Sequence, residues 1–254
     1  MKKKGVEVFN DSLDQSIKKS LAQIVYNFDT YDGGIGERNI IKIIPLNNFN
    51  VNVKAFKVPN LFNQIAYRFF RKSKAQRSFE YANKLLKLGI GTPKPLAYFE
   101  YKSPFLFKKS FYLSEQLDCD ITFRELTKDF DYPNYDAILR AFTRFTFDLH
   151  EKGIQFLDHS PGNTLIREKG NGYQFYLVDL NRMNFGALDF ETRIKNFSRL
   201  TTHKSMVEVM SDEYAKCSGS DYNLIFNLMW KEIQAFQERY HGKIRLKKKL
   251  KFWK

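Results

Sequence analysis

The sequence predicts an α+β fold in two lobes: a small β-rich N-terminal lobe over residues 1–117 and a mostly helical lobe over residues 118–254. Three observations carry this. Residues 21–57 alternate short runs rich in Ile, Val, Tyr and Phe with clusters of turn formers, the pattern of an antiparallel meander. From residue 135 onward the apolar spacing changes to that of helices. The helical half is then interrupted once, by a hairpin at 164–179 beside the loop "FLDHSPGN". With 254 residues, no repeat and no low-complexity linker, the chain has enough core to fold without staples.

The elements follow in order. "LAQIVYNFD" (21–29) reads as a first strand, "TYDGGIGE" as a turn, and "RNIIKIIP" (38–45) as a second strand. "VNVKAFK" (51–57) is the third, with Val51, Val53 and Ala55 on one face. A basic helix is predicted over about 73–88, with Phe79, Ala82, Leu85 and Leu86 at helical spacing and Gly89 as its stop. Two more strands follow, one ending near Glu100 and one over 110–118. Ile138, Leu139, Phe142, Phe145 and Leu149 mark a helix over 135–152, closed by Gly153. Strands at 164–167 and 174–179 flank a turn at Gly170–Gly172. Helices are predicted at 190–204 and 221–241, the second with Tyr222, Ile225, Met229, Ile233, Phe236 and Tyr240 on one side.

Composition excludes several classes. Cys119 and Cys217 are far apart and have no Cys/His ligand spacing around them, which argues against a disulfide framework or a structural zinc. The basic start "MKKKGVEVFNDSLDQ" has no apolar stretch behind it, so no secretory signal is expected. No run of 18 apolar residues occurs, and the expected location is cytoplasmic. The net charge of +14 is concentrated in Lys2–Lys4, in "RFFRKSKAQR" (68–77) and in the tail "KIRLKKKLKFWK" (243–254). Basic residues interleaved with Ile244, Leu246, Leu250, Phe252 and Trp253 suit the interface of an anionic membrane. They would also suit single-stranded nucleic acid. No nucleic-acid motif accompanies them, and no nucleic-acid partner is expected.

This order of elements is that of the protein-kinase fold, and polar residues stand where its chemistry needs them. Lys54 in "VNVKAF" occupies the third-strand position that holds nucleotide phosphates, and Glu80 in the next helix is the residue to steady it. Asp158-x-x-x-x-Asn163 has the spacing of a catalytic loop, and Asp179 in "VDLN" ends the hairpin where a metal-binding aspartate belongs. Phosphoryl transfer from ATP requires hard oxygens to hold Mg²⁺ and one carboxylate aimed at the attacking hydroxyl. Asn163 and Asp179 are the candidate metal ligands, Asp158 the base, and Lys54 the phosphate clamp. Gly33, Gly34 and Gly36 in "GGIG" lack the kinase glycine spacing. They either form a plain hairpin turn or cover the phosphates with backbone N–H groups. Taken singly each motif is weak; the order on the right elements is the signal.

The phrases "FLDHSPGNTLI", "VDLNRMNFG", "VNVKAFKVPN" and "FFRKSKAQRSFEYANKLLKLGIGTPKPLAYFE" resemble the bacterial lipopolysaccharide kinase family, over residues 35–200. The resemblance implies ATP-dependent, Mg²⁺-assisted phosphorylation of a Kdo or heptose hydroxyl on an anionic glycolipid. It implies work at the inner face of the cytoplasmic membrane, with peripheral contact through the basic and aromatic segments. Arg182, His159 and Ser160 are then candidates for contacting the acceptor, against a salt bridge for Arg182 and turn-shaping for the other two.

Phe156 and Leu157 replace the His and Arg of H-R-D, Asn181 replaces the Gly of D-F-G, and no A-P-E is present. These departures argue against a protein kinase and against activation by loop phosphorylation. The rival readings are a kinase-fold phosphotransferase for a soluble hydroxyl compound and a non-catalytic pseudokinase on an anionic membrane.

Overall fold

The computed structural model describes residues 4–36, 39–170 and 172–252; Met1, Lys2, Lys3, Glu37, Arg38, Asn171, Trp253 and Lys254 lie outside them, as do the side chains of Lys4 and of 247–252. The chain forms two compact units. One comprises Met1–Asp118 with Asp179–Asn181, the other Cys119–Val178 with Arg182–Lys254.

The first unit is built on one antiparallel sheet of β1 (Lys4–Phe9), β2 (Asn39–Leu46), β3 (Phe49–Phe56), β4 (Pro95–Lys102) and β5 (Phe107–Glu115), in the order β1-β4-β5-β3-β2. Strand pleating sends alternate residues to opposite faces. Val51, Val53, Leu113, Phe99 and Phe111 face α1 (Gln15–Tyr26), whose Leu21, Ile24 and Val25 cover them. Phe56 and Tyr98 face the other way, onto Ala75 and Phe79 of α3 (Lys74–Lys87). A shorter helix, α2 (Leu61–Phe69), precedes α3 and buries none of its residues.

Here the structure corrects the expected first strand. Residues 21–29 are not β; they belong to α1 and the turn after it. Asp14 caps α1 by accepting from the Ile17 N–H at 2.8 Å. Leu21, Ile24, Val25 and Phe28 are buried at i, i+3, i+4 and i+7, a helical stripe that the β-branched composition hid. The true first strand is the N-terminal Lys4–Phe9, paired antiparallel with β4 at the sheet edge.

The second unit is organised around α5 (Tyr135–Glu151), whose Ile138, Leu139, Phe142 and Leu149 are fully buried. Before it come the short β6 (Ile121–Thr122) and α4 (Phe123–Leu126), which has a capping box between Thr122 and Glu125. After it come β7 (Ile154–Phe156), β8 (Thr164–Lys169), β9 (Gly172–Leu177) and β10 (Met183–Phe185). β8 and β9 form a hairpin flanked by β6, and β7 pairs with β10. The predicted helix 190–204 is shorter, α6 (Phe190–Lys195). A helix absent from the sequence reading, α7 (Lys204–Ser218), is closed by Gly219 at φ 68°. α8 (Tyr222–Phe252) runs well beyond the predicted 221–241. Tyr214 of α7 and Ile225, Met229 and Ile233 of α8 complete this core with α5. None of the described helices is long and apolar enough to cross a membrane.

Candidate active site

Lys54 lies on β3 opposite Tyr112 of β5, on the sheet face away from α1. Its side chain is 15% exposed and the ammonium sits 2.9 Å from Asp179 Oδ1. Asp179 follows the last residues of the hairpin and adopts φ 59°, a left-handed conformation that Asp tolerates better than most residues. Asn181 Nδ2 donates to the same Oδ1 at 2.6 Å. Among the described residues Asp179 Oδ2 has no protein donor. Asn181, which stands where D-F-G has glycine, is therefore a positioning residue for the carboxylate.

Glu80 does not steady Lys54 in this structure. It accepts from Lys72 Nζ at 3.0 and 2.8 Å and from Gln76 Nε2 at 3.0 Å. Lys72 lies in the bend between α2 and α3, close to Glu80 on the helix surface, and captures it locally.

In the second unit, the loop after β7 is knit by its own backbone. The N–H of Leu157 donates to Arg182 O at 3.1 Å and that of Asn163 to Ser160 O at 2.9 Å; Val178 N–H, at the end of the hairpin, reaches Asn163 O at 3.0 Å. Asn163 Nδ2 donates to Asp158 O at 2.8 Å, which orients its carboxamide and leaves Oδ1 without a protein donor. The Asp158 carboxylate, 20% exposed, is gripped on Oδ1 by Arg199. That guanidinium also donates to Leu157 O at 3.1 Å and stacks 5.5 Å from the Phe236 ring. Sequence reasoning missed Arg199: it lies 41 residues from Asp158 in a turn after α6, and no local motif announces it.

The structure corrects the reading of His159. It does not line an acceptor pocket, because it is fully buried between the rings of Phe142 (5.4 Å) and Phe156 (5.7 Å). Neither ring nitrogen has a hydrogen-bond partner, and burial pushes its pKa down to about 3, with the charges of His150 and Arg199 helping. His150, held by Tyr214 Oη at 3.0 Å and Asn196 Oδ1 at 3.3 Å, is likewise pushed down to about 4 by burial. Ser160 is half-buried. Arg182 is exposed, and no salt bridge holds it among the described residues, which leaves it free for an external anion.

The glycine turn is a tight one. Ile35 exchanges both backbone hydrogen bonds with Ile41 of β2 at 3.0 Å. Gly36 stands at φ 117°, where a Cβ would meet Asn39 O at 2.3 Å, so this position requires glycine. The turn does not lie between two strands, as the sequence suggested, because the segment before it is helical. Lys42, buried in the sheet, donates to Phe28 O at 2.9 Å and to Tyr31 O, tying that preceding segment down.

Together these features define a class, the kinase-fold phosphotransferases. Within it the comparisons are specific. The model of the lipopolysaccharide kinase (Kdo/WaaP) family matches residues 58–223, well over half of the sequence, and the chain belongs to that family. A solved structure described as WaaP in complex with acyl carrier protein superposes with a TM-score of 0.62 at 16% identity, covering 94% of this chain and 98% of that one. At that identity the likeness establishes the fold. No curated protein matches the chain.

The donor chemistry fits a hard divalent cation. Each unit by itself presents one such oxygen: Asp179 Oδ2 in the first and Asn163 Oδ1 in the second have no protein donor among the described residues, and each is oriented by a hydrogen bond on the atom beside it. No cluster of three or more His, Cys, Asp or Glu forms a metal cage among the described residues.

Proposed function

We propose that the protein transfers the γ-phosphoryl group of ATP to a Kdo or heptose hydroxyl of the lipopolysaccharide inner core or a lipid A precursor. The observation that carries this reading is the Lys54–Asp179 ion pair, which brings the phosphate clamp of the β-rich unit to the aspartate ending the hairpin. Residues 1–117 serve as the nucleotide-binding lobe and 118–254 as the acceptor lobe, at the inner face of the cytoplasmic membrane. Gly33, Gly34 and Gly36 are the backbone that faces the phosphates.

Asn163 and Asp179 would hold Mg²⁺, which when bound would neutralise charge on the phosphates. Lys54 binds a phosphate oxygen and orients the nucleotide. Asp158 accepts the proton of the sugar hydroxyl as the hydroxyl oxygen bonds to the γ-phosphorus and the bond from that phosphorus to the β–γ bridging oxygen breaks, with ADP leaving. Arg199 fixes one carboxylate oxygen, so that the other faces the acceptor. Arg182 meets the anionic groups of the glycolipid. Glu80, committed to Lys72, has no part in this set as arranged here.

The test is mass spectrometry of Kdo–lipid A acceptors after incubation with ATP and Mg²⁺. Asp158→Ala and Asp179→Ala should each reduce phosphate addition by at least about a hundredfold with the circular-dichroism spectrum of the folded parent retained, the melting temperature shifting as Arg199 or Lys54 loses its counterion. Full turnover by Asp179→Ala refutes the assignment. A parent protein that takes up Mg-ATP, seen as a raised melting temperature, but modifies only soluble acceptors points to the small-molecule reading.

A further inference from the structure

An ordinary surface helix turns its apolar side inward. Helix α2 does the reverse. Its attachment to the unit is polar or aromatic: Gln64 Nε2 donates to Pro59 O at 2.9 Å, Arg68 Nε to Ser103 O at 3.1 Å, and Tyr67 lies 5.7 Å from the ring of Phe107 on β5. At 100° per residue, Leu61, Ile65, Phe69 and Phe62 fall on one arc of about 100°, opposite Tyr67 and bordered by Arg68. All four are exposed, Phe62 at 86%, and Phe70 at the C-cap is exposed at 81%. A contiguous apolar face of this size marks an interaction surface.

The charge beside it identifies the occupant. Arg71 and Lys74, both exposed, follow the helix directly, and Arg68 lies 5.0 Å from the Phe69 ring. No acidic residue occurs between Asp32 and Glu80 other than Glu37. An apolar stripe of large aromatics bordered by Arg and Lys is the composition of a helix lying in the interfacial plane of an anionic bilayer. We infer that α2 is a membrane-inserting element: Phe62, Ile65, Phe69 and Phe70 enter the acyl boundary while Arg71 and Lys74 meet anionic headgroups. The inference rests on the membrane-facing part of the proposed function, not on its chemistry.

Co-sedimentation of the full chain with phosphatidylcholine vesicles, with and without a third of phosphatidylglycerol, tests this. The parent should bind the anionic vesicles. Phe62→Ser/Phe69→Ser/Phe70→Ser should weaken binding by at least about tenfold, at any salt concentration. Arg71→Glu/Lys74→Glu should weaken it chiefly at low salt. A Phe62→Trp indole should shift blue and be quenched by brominated acyl chains. The triple variant should melt with the parent, since its side chains are exposed. Equal vesicle binding by the triple variant, or an unquenched indole, overturns the inference. So does a patch that instead retains a small acidic protein, or a second copy of the chain, and ignores vesicles. Phosphate transfer to a detergent-dispersed acceptor is read separately: its failure in the parent removes the kinase assignment and leaves the vesicle result standing.

Discussion

Acid sensitivity should be set by two buried histidines that ordinary surface chemistry does not touch. His159 and His150 have pKa values pushed down to about 3 and about 4, against about 6.5 in the unfolded chain. Between pH 6.5 and 4 the unfolded chain therefore binds protons that the native state refuses, and unfolding free energy falls as pH falls. Each pH unit below 6.5 removes about 1.4 kcal/mol per histidine. At pH 5 that is roughly 2 kcal/mol each and roughly 4 kcal/mol together, a large share of a typical 5–15 kcal/mol. Asp14, Asp189, Asp212 and Glu125 have lowered pKa values and lose their contribution only below about pH 4, so the window isolates the histidines. The perturbation is His159→Leu, close in volume and free of the two unpartnered ring nitrogens. Urea unfolding at pH 7.5 and pH 5 should show the parent losing roughly 4 kcal/mol and the variant roughly 2 kcal/mol. An unchanged acid loss in the variant would refute the reasoning, because it would mean that His159 is not held neutral by burial.

Other substitutions probe the site and its scaffold. Lys54→Met should reduce phosphate transfer by at least about a hundredfold, and because it leaves Asp179 uncompensated, a shifted melting temperature should accompany the loss. Arg199→Met should lower kcat by about tenfold or more with a smaller effect on KM, since Asp158 loses its orientation rather than its charge. Gly36→Ala should cost about 1–3 kcal/mol, read as a lowered denaturation midpoint, from positive φ and the clash with Asn39 O. Glu213→Gln should cost roughly 2 kcal/mol in the same assay, because this nearly buried carboxylate joins α7 to Arg140 and Arg144 of α5.

What was legible in the sequence was local. The third strand announces itself by alternation, α3 and α5 by their apolar stripes, and Asp158-x-x-x-x-Asn163 by spacing alone. α1 was misread because Ile24, Val25 and Tyr26 favour strands in isolation, while Asp14 and the burial of Leu21 and Phe28 decide for helix. α2 was passed over because its apolar face has no partner in the fold, so it shows none of the inward patterning expected of a packed helix. Arg199 and the Lys72–Glu80 pair were out of reach for another reason. Ion pairs form between whichever charges the folded chain brings within range, and nothing in "NFSRL" or "FFRKS" names the partner. His159 misled most directly: beside Asp158, the proposed base, it suggests chemistry, yet the fold uses it as a core aromatic.

The Lys54–Asp179 pair also makes the bare site a closed account of charge. Each group already holds its counterion, so a nucleotide arriving as an anion alone would have to evict a carboxylate and leave it unneutralised. On the proposed chemistry, a nucleotide arriving with its cation would exchange partners instead: the Lys54 ammonium would pass from carboxylate to phosphate, and the Asp179 carboxylate from ammonium to metal. Nucleotide binding becomes an ion exchange in which opposite charges are swapped and none is stranded. On the proposed chemistry, the site selects the metal complex over the free nucleotide before any reaction begins.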